Sequence, residues 1–109
     1  MTSEKAKMLS GGSYDPADPQ LRAERRIARQ LVRLFNATGP TEHERRRTLL
    51  STLFGSGGET AAVEPPFYCD YGGQIHVGED FFANFGCVFL DVCEIRFGDQ
   101  CMLGPAVHV

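Results

Sequence analysis

Two rhythms of apolar residues divide this chain. In the first, Ile27, Leu31, Leu34 and Phe35 recur three and four residues apart with arginines between them, which predicts an amphipathic helix. Asp18-Pro19 marks its start, Asp18 as N-cap and Pro19 at the first helical position, where a missing N–H costs nothing. Asn36-Ala37-Thr38-Gly39-Pro40 ends it. A second helix is predicted from Thr41, because Thr41-Glu42-His43-Glu44 has the form of a capping box in which hydroxyl and carboxylate each satisfy an orphan backbone N–H. Its apolar stripe is Leu49, Leu50, Leu53 and Phe54, and Gly55-Ser56-Gly57-Gly58 stops it. Residues 1–13 read as a loose lead-in and Tyr14-Asp15-Pro16 as a turn. Such a hairpin has too few inward apolar residues to offset the entropy of ordering it, so it is not expected to stand alone.

The second rhythm starts near Ala61. Pro65-Pro66 and frequent glycines exclude a long helix there, and Ile75-His76-Val77-Gly78-Glu79 returns 20 residues later as Ile95-Arg96-Phe97-Gly98-Asp99. Within each copy an apolar residue recurs every sixth position: Val77, Ala83, Phe89, then Phe97, Leu103, Val109. This is the pattern of a hexapeptide-repeat parallel β-helix, in which three short strands form a triangular coil of about 18 residues and the sixth residue fills its interior. The two residues in excess are expected to bulge outward near Asp91–Glu94. An antiparallel sandwich with chance alternation is the competing arrangement, and the joint match of period and glycine phase disfavours it. The expected fold is therefore mostly β with an N-terminal helical segment. Residues 1–58 form the helical part, and residues 59–109 begin a β-helix that is incomplete at Val109.

Charge follows the same division. Residues 18–54 hold eight arginines against four acids, whereas residues 55–109 hold only Arg96 against eight acids, within a net charge of −3. A basic helix can meet nucleic acid or an anionic membrane surface. No aromatic residues interleave with these arginines, however, so a solvated face, or one docked on the acidic half, is the expected reading. No apolar run is long enough for a signal peptide or membrane span, which predicts a cytoplasmic address. Cys69, Cys87, Cys93 and Cys101 form no C-x-x-C pair or cluster suited to zinc, and read as small buried apolar residues with no metal.

Several segments together resemble the maltose/galactoside O-acetyltransferase family, the sugar and nodulation-factor branch of hexapeptide acyltransferases. They are Tyr14-Asp15-Pro16-Ala17-Asp18-Pro19, Leu34-Phe35-Asn36, Glu64-Pro65-Pro66-Phe67-Tyr68-Cys69-Asp70-Tyr71-Gly72, Phe81-Phe82-Ala83-Asn84-Phe85 and Gly98-Asp99-Gln100-Cys101-Met102-Leu103-Gly104-Pro105. The resemblance implies a left-handed β-helix and a homotrimer with sites between neighbouring copies. It also implies transfer of acetyl from acetyl-CoA to a sugar hydroxyl, with a histidine as general base. By the same resemblance Asn84, Asp70, Phe82, Asp91, Tyr14 and Asp15 are acceptor-side residues; left-handed backbone at a coil corner is the competing role for Asn84. Val92 stands where the galactoside branch carries an acid, which favours a maltose- or glucose-like acceptor. The family base lies in a Thr-x-x-His-Pro context beyond Val109. His108 aligns upstream of it, and neither His76, an outward coil position, nor His43 in a helix's first turn fits the role. The alternative is a truncated, non-catalytic homologue that binds sugar or a full-length relative; a different acceptor, such as an antibiotic or an amino acid, is weaker.

Overall fold

The computed structural model describes residues 2–109. Three helices come first: α1 (Glu4–Leu9), α2 (Pro19–Asn36) and α3 (His43–Leu53). Seven strands of two or three residues follow: β1 (Ala62–Val63), β2 (Phe67–Cys69), β3 (Ile75–Val77), β4 (Phe82–Ala83), β5 (Cys87–Phe89), β6 (Ile95–Phe97) and β7 (Met102–Leu103). They pair in parallel as β1-β4-β7, β2-β5 and β3-β6. Every pair keeps a 20-residue offset: Ala62 lies beside Phe82, Phe67 beside Cys87, Ile75 beside Ile95 and Phe82 beside Met102. The same offset extends to bridges between Ser56 and His76 and between Val88 and His108. The repeat is thus a real coil period, and three parallel sheets form the three walls of the coil stack.

Side chains alternate across these walls as strand geometry requires. Phe67, Cys69, Ile75, Val77, Ala83, Cys87 and Phe89 point inward and are buried, while Phe97 and Leu103 are partly covered. Val109, expected inside, is 47% exposed. Phe54, Phe67, Phe89, Phe81 and Phe97 form a chain of edge-on and tilted ring contacts 5.1–6.3 Å apart along the axis. The tight corners use left-handed backbone at Asp80 and Gln100, and at Gly86 and Ala106, each pair again 20 residues apart. Asn84 lies at a corner but is not among the left-handed residues, so the left-handed conformation expected of its competing role is not adopted.

The helical part departs from expectation in four places. Residues 4–9, expected to be a loose lead-in, form α1, which Ser3 caps by accepting from Ala6 N–H and which buries Met8. Helix α2 starts where predicted, with the Asp18 carboxylate accepting from the N–H groups of Gln20 and Leu21. Its buried stripe, however, is Leu21, Ala28, Val32 and Phe35; Ile27 is 58% and Leu34 46% exposed. Small Ala28 lets the helix axis approach the coil closely, which turns Ile27 and Leu34 toward the flanks. The capping box does not form. Glu42 turns its carboxylate back to Gly39 N–H (2.8 Å), and α3 begins at His43 without a side-chain cap. Finally, "mostly β" gives way to a helix-capped coil, since the helices are 6, 18 and 11 residues long and each strand only two or three.

One core joins the two parts. Ala28, Val32, Phe35, Leu50, Leu53 and Phe54 from the helices pack in the same cluster as the inward coil residues. Asn36, the last residue of α2, both accepts from Phe67 N–H (2.8 Å) and donates to Phe67 C=O (3.0 Å), so the helix end is pinned to β2 as if by one more strand residue. Backbone pairing with the coil already begins at Gly55 and Ser56, which bond to Ile75 and Val77.

Candidate functional site

An open cleft of about 680 Å³ lies between the C-terminal half of α2 and the outer face of the β2-β5 sheet. Val32, Tyr68, Val88 and Leu90 give it an apolar floor and wall, and Arg29, Arg33, Asn36 and Asp70 place polar groups around it. Tyr68 and Leu90 are about half exposed, being outward residues of β2 and of the turn after β5. An aromatic ring beside a few polar groups is the composition that holds a pyranose, apolar on its C–H face and polar at its edge. Two of the three walls carry outward apolar ladders: Ala62, Phe82 and Met102 on one, Tyr68 and Val88 on another. The third is polar, with Ser56, His76 and Arg96.

Asp70 is the one acceptor-side residue from the sequence that lines this cleft. It opens the corner 70–74, which stacks directly on the corner 90–94. Here the two excess residues of the coil are found, at the place expected. Asp91 is not presented outward, which corrects its reading as an acceptor contact. It is fully buried, and its carboxylate accepts from Tyr71 N–H (2.9 Å) and Gln74 N–H (3.1 Å), while Gln74 Nε2 donates to Asp91 C=O. Burial raises its pKa, against the lowering pull of those backbone N–H groups. The group serves to hold Asp70's loop in place.

Tyr14 and Asp15 reach the same neighbourhood from the helical side. Tyr14 packs on the small cluster of Met8, Leu21 and Tyr71. Asp15 closes the predicted turn, accepting from Ala17 N–H, and its own N–H donates to Glu4, whose pKa is lowered first by its hydrogen bond with Lys7 and then by this one. Arg25 stitches this turn to the coil: it donates to Pro16 C=O (2.6 Å) and to the Tyr71 hydroxyl (2.8 Å), and its guanidinium lies over the Tyr71 ring. Sequence reasoning missed Arg25 and Tyr71, which meet across 46 residues. It also missed Tyr68, Arg29 and Arg33. Tyr68 alone left a local signal, as the outward residue of a Phe-Tyr-Cys alternation.

Asn84 and Phe82 lie elsewhere. Phe82 is a half-buried outward residue of the β1-β4-β7 wall, and Asn84 sits at the corner before β5, at the opposite end of the β2-β5 sheet from Asp70. The Asn84 Oδ1 accepts from Phe85 N–H (2.8 Å). One chain therefore does not gather the six sequence-predicted residues in a single cavity.

The histidines and cysteines hold other positions. His43 opens α3 and is exposed, and His108 is exposed beside Val88. His76 is outward, as expected, with Nδ1 2.9 Å from the Ser56 hydroxyl and Nε2 3.8 Å from Glu94. Cys69 and Cys87 are buried and all four thiols are free. Burial pushes the Cys69 thiol far above its ordinary range, and the Asp91 and Asp70 carboxylates add to the shift, so it is no nucleophile. Among the described residues no helix is long and apolar enough to cross a membrane, and no group of three or more His, Cys, Asp or Glu is placed to hold a metal ion.

Comparison with known proteins bears directly on this arrangement. Residues 7–58 match the maltose acetyltransferase hexapeptide capping motif. Nodulation protein L of Rhizobium leguminosarum bv. viciae is 39% identical over 107 residues, 98% of this chain and 56% of that protein. The solved structure of a maltose O-acetyltransferase from Clostridium difficile 630 is 51% identical, with a TM-score of 0.96 over 98% of this chain and 57% of its own. A galactoside acetyltransferase solved in complex with coenzyme A is 31% identical, with a TM-score of 0.88 over 96% of this chain and 52% of its own. The chain spans about half the length of the relatives it matches.

Proposed function

The chain belongs to the maltose/galactoside O-acetyltransferase family of hexapeptide-repeat proteins, and from that premise we propose that it is the acceptor-side part of an acetyl-CoA-dependent sugar O-acetyltransferase. The observation that carries this reading is the likeness to the Clostridium difficile maltose O-acetyltransferase, at 51% identity and a TM-score of 0.96. The acetyl donor is argued from the coenzyme A bound to the galactoside acetyltransferase. A maltose- or glucose-like acceptor is argued from the maltose enzyme and from Val92 in place of an acid.

In the proposed reaction a sugar hydroxyl attacks the thioester carbonyl of acetyl-CoA. A C–O bond forms, the C–S bond breaks, and the hydroxyl proton passes through a general base to the departing thiolate. A hydroxyl is a poor nucleophile until that proton is removed, so a base near neutrality is needed. His43, His76 and His108 are all poorly placed for it, and the base is assigned to the family's Thr-x-x-His-Pro segment, which follows Gly104-Pro105-Ala106-Val107 beyond Val109. Here the chain's own part is to position the acceptor. Tyr68 and the apolar floor take the sugar face, and Asp70 takes a hydroxyl. Asn84, Phe82, Tyr14 and Asp15 complete the acceptor side between copies of a homotrimer with left-handed coils. The reading puts the reaction in the cytoplasm and requires no metal.

The test is acetyl transfer by the protein isolated from its native source, followed by release of free coenzyme A thiol and by the mass of the sugar product. Maltose or glucose should gain one acetyl group, and Asp70→Ala should raise the acceptor KM about tenfold or more with little change in the KM for acetyl-CoA. Absence of transfer to any sugar would overturn the reading in favour of a non-catalytic homologue.

A further inference from the structure

The arginines of α2 are not explained by positioning a neutral sugar. Arg22, Arg26, Arg29 and Arg33 are spaced four, three and four residues apart, which puts them on one face of the helix. All four are exposed, and among the described residues none has a carboxylate within 4 Å or a side-chain hydrogen bond. Two neighbouring arginines behave differently: Arg25 is held by Tyr71 and Pro16, and Arg46 by Thr38 and Glu64.

Two of the free guanidiniums do not merely face solvent. Arg29 and Arg33 line the same 680 Å³ cleft as Tyr68 and Asp70, and they also line a second depression of about 450 Å³ that continues the cleft along the helix past Arg26 and Arg22. Among the described residues Asp70 is the only acid lining either concavity, so the cleft carries two cations to one anion, and the depression beyond it is lined by arginines and Gln30. Apolar walls on the cleft side lower the local dielectric and focus that field. A planar guanidinium offers two parallel N–H donors suited to an oxyacid, and two of them one helical turn apart can share a single tetrahedral group.

We propose that the acceptor is a phosphorylated saccharide, bound with its sugar ring on Tyr68 and Asp70 and its phosphate on Arg29 and Arg33. This inference rests on the acceptor reading of the cleft given above. Asp70 repels the phosphate and so sets the polarity: the anionic end of the ligand points along α2, and a neutral hydroxyl faces Asp70.

Titration of the protein with glucose, glucose 6-phosphate, glucose 1-phosphate and inorganic phosphate, by calorimetry, decides the matter without relying on turnover. At least one phosphorylated sugar should bind tenfold or more tightly than glucose, and more tightly than inorganic phosphate alone. In the double variant Arg29→Gln/Arg33→Gln the advantage over glucose should fall to within about twofold, with glucose affinity and melting temperature unchanged; the single variants, each losing part of the advantage, guard against a double variant that fails to fold. Equal binding of glucose and both phosphates would overturn the inference, as would inorganic phosphate binding as tightly as the sugar phosphates. A variant whose affinity for coenzyme A falls in place of its sugar-phosphate affinity would assign the arginines to the donor and overturn it too. Transfer assays run alongside separate the two readings. Acetylation of neutral sugars with no preference for phosphate sinks only this inference, whereas tight sugar-phosphate binding without any transfer sinks only the enzymatic one.

Discussion

Asp91 illustrates how one side chain can hold a loop that it does not itself present to a ligand. Its carboxylate is buried at no exposure and spends both oxygens on the N–H groups of Tyr71 and Gln74, which fixes the corner where Asp70 meets the cleft. Asn is nearly isosteric but offers one acceptor oxygen, so Asp91→Asn leaves one of these buried N–H groups facing an amide NH₂. A loss of about 1–3 kcal/mol in unfolding free energy is expected from a buried donor left unsatisfied, measured by urea denaturation at pH 7. The raised pKa adds a pH signature. A carboxyl whose folded pKa lies above its unfolded value binds more protons in the folded state between the two values. Its ionisation therefore costs stability as pH rises from the ordinary carboxylate range through the folded pKa. Asp91→Asn should flatten that segment of the stability–pH curve, and an unchanged slope would show that another group sets it. Of the site residues, Asp70 entered only through the family resemblance, and Asp91's direction was not legible, because an acid in an outward bulge and an acid turned under it have the same local sequence.

At the scale of the element, the two long helices begin by different means although their sequences look equally well capped. Asp18 makes its cap bonds to Gln20 and Leu21, whereas Thr41 makes none and Glu42 closes a turn on Gly39. Asp18→Ala should cost about 1 kcal/mol, as loss of an N-cap typically does. Thr41→Ala should change stability by less than about 0.5 kcal/mol, the scale of an uninvolved surface position. Thermal melts of the two variants distinguish the cases, and a cost at Thr41 equal to that at Asp18 would restore the capping box. The choice of α2 face follows the same logic. Helical spacing allows Ile27, Leu31, Leu34 and Phe35 or Leu21, Ala28, Val32 and Phe35, and the second set wins because Ala28 permits close approach where the pinning bonds of Asn36 to Phe67 bring the helix onto β2.

For the whole molecule, the compositional break near residue 55 separates charge but not packing. Helical and coil residues share one core, and Phe67, fully buried between Phe54 and Phe89, links them. The helices and coils should therefore unfold together, helical ellipticity and tyrosine fluorescence giving the same midpoint in denaturant. Phe67→Ala should cost about 3–5 kcal/mol, a large share of the 5–15 kcal/mol typical of a domain, and should shift both signals equally. Helical signal lost at lower denaturant than the tyrosine signal would mean that the cap and the coils are independent.

What the sequence by itself determined is what one-dimensional periodicity carries: a 20-residue coil period, inward residues at every sixth position as far as Leu103, the excess pair near Asp91–Glu94 and the Asp18-Pro19 helix start. These follow from the fixed geometry of helix and strand, which turns spacing directly into facing. Tertiary structure alone decided which stripe of α2 is buried, where Asp91 points, how Arg25 reaches Tyr71 and that Arg29 and Arg33 face Tyr68 and Asp70 across a cleft. Each of those depends on groups separated by 17 to 46 residues or more meeting in space. Such meetings are fixed by how helices settle on the coil, a balance of packing and hydrogen bonding over the whole molecule that no local pattern encodes.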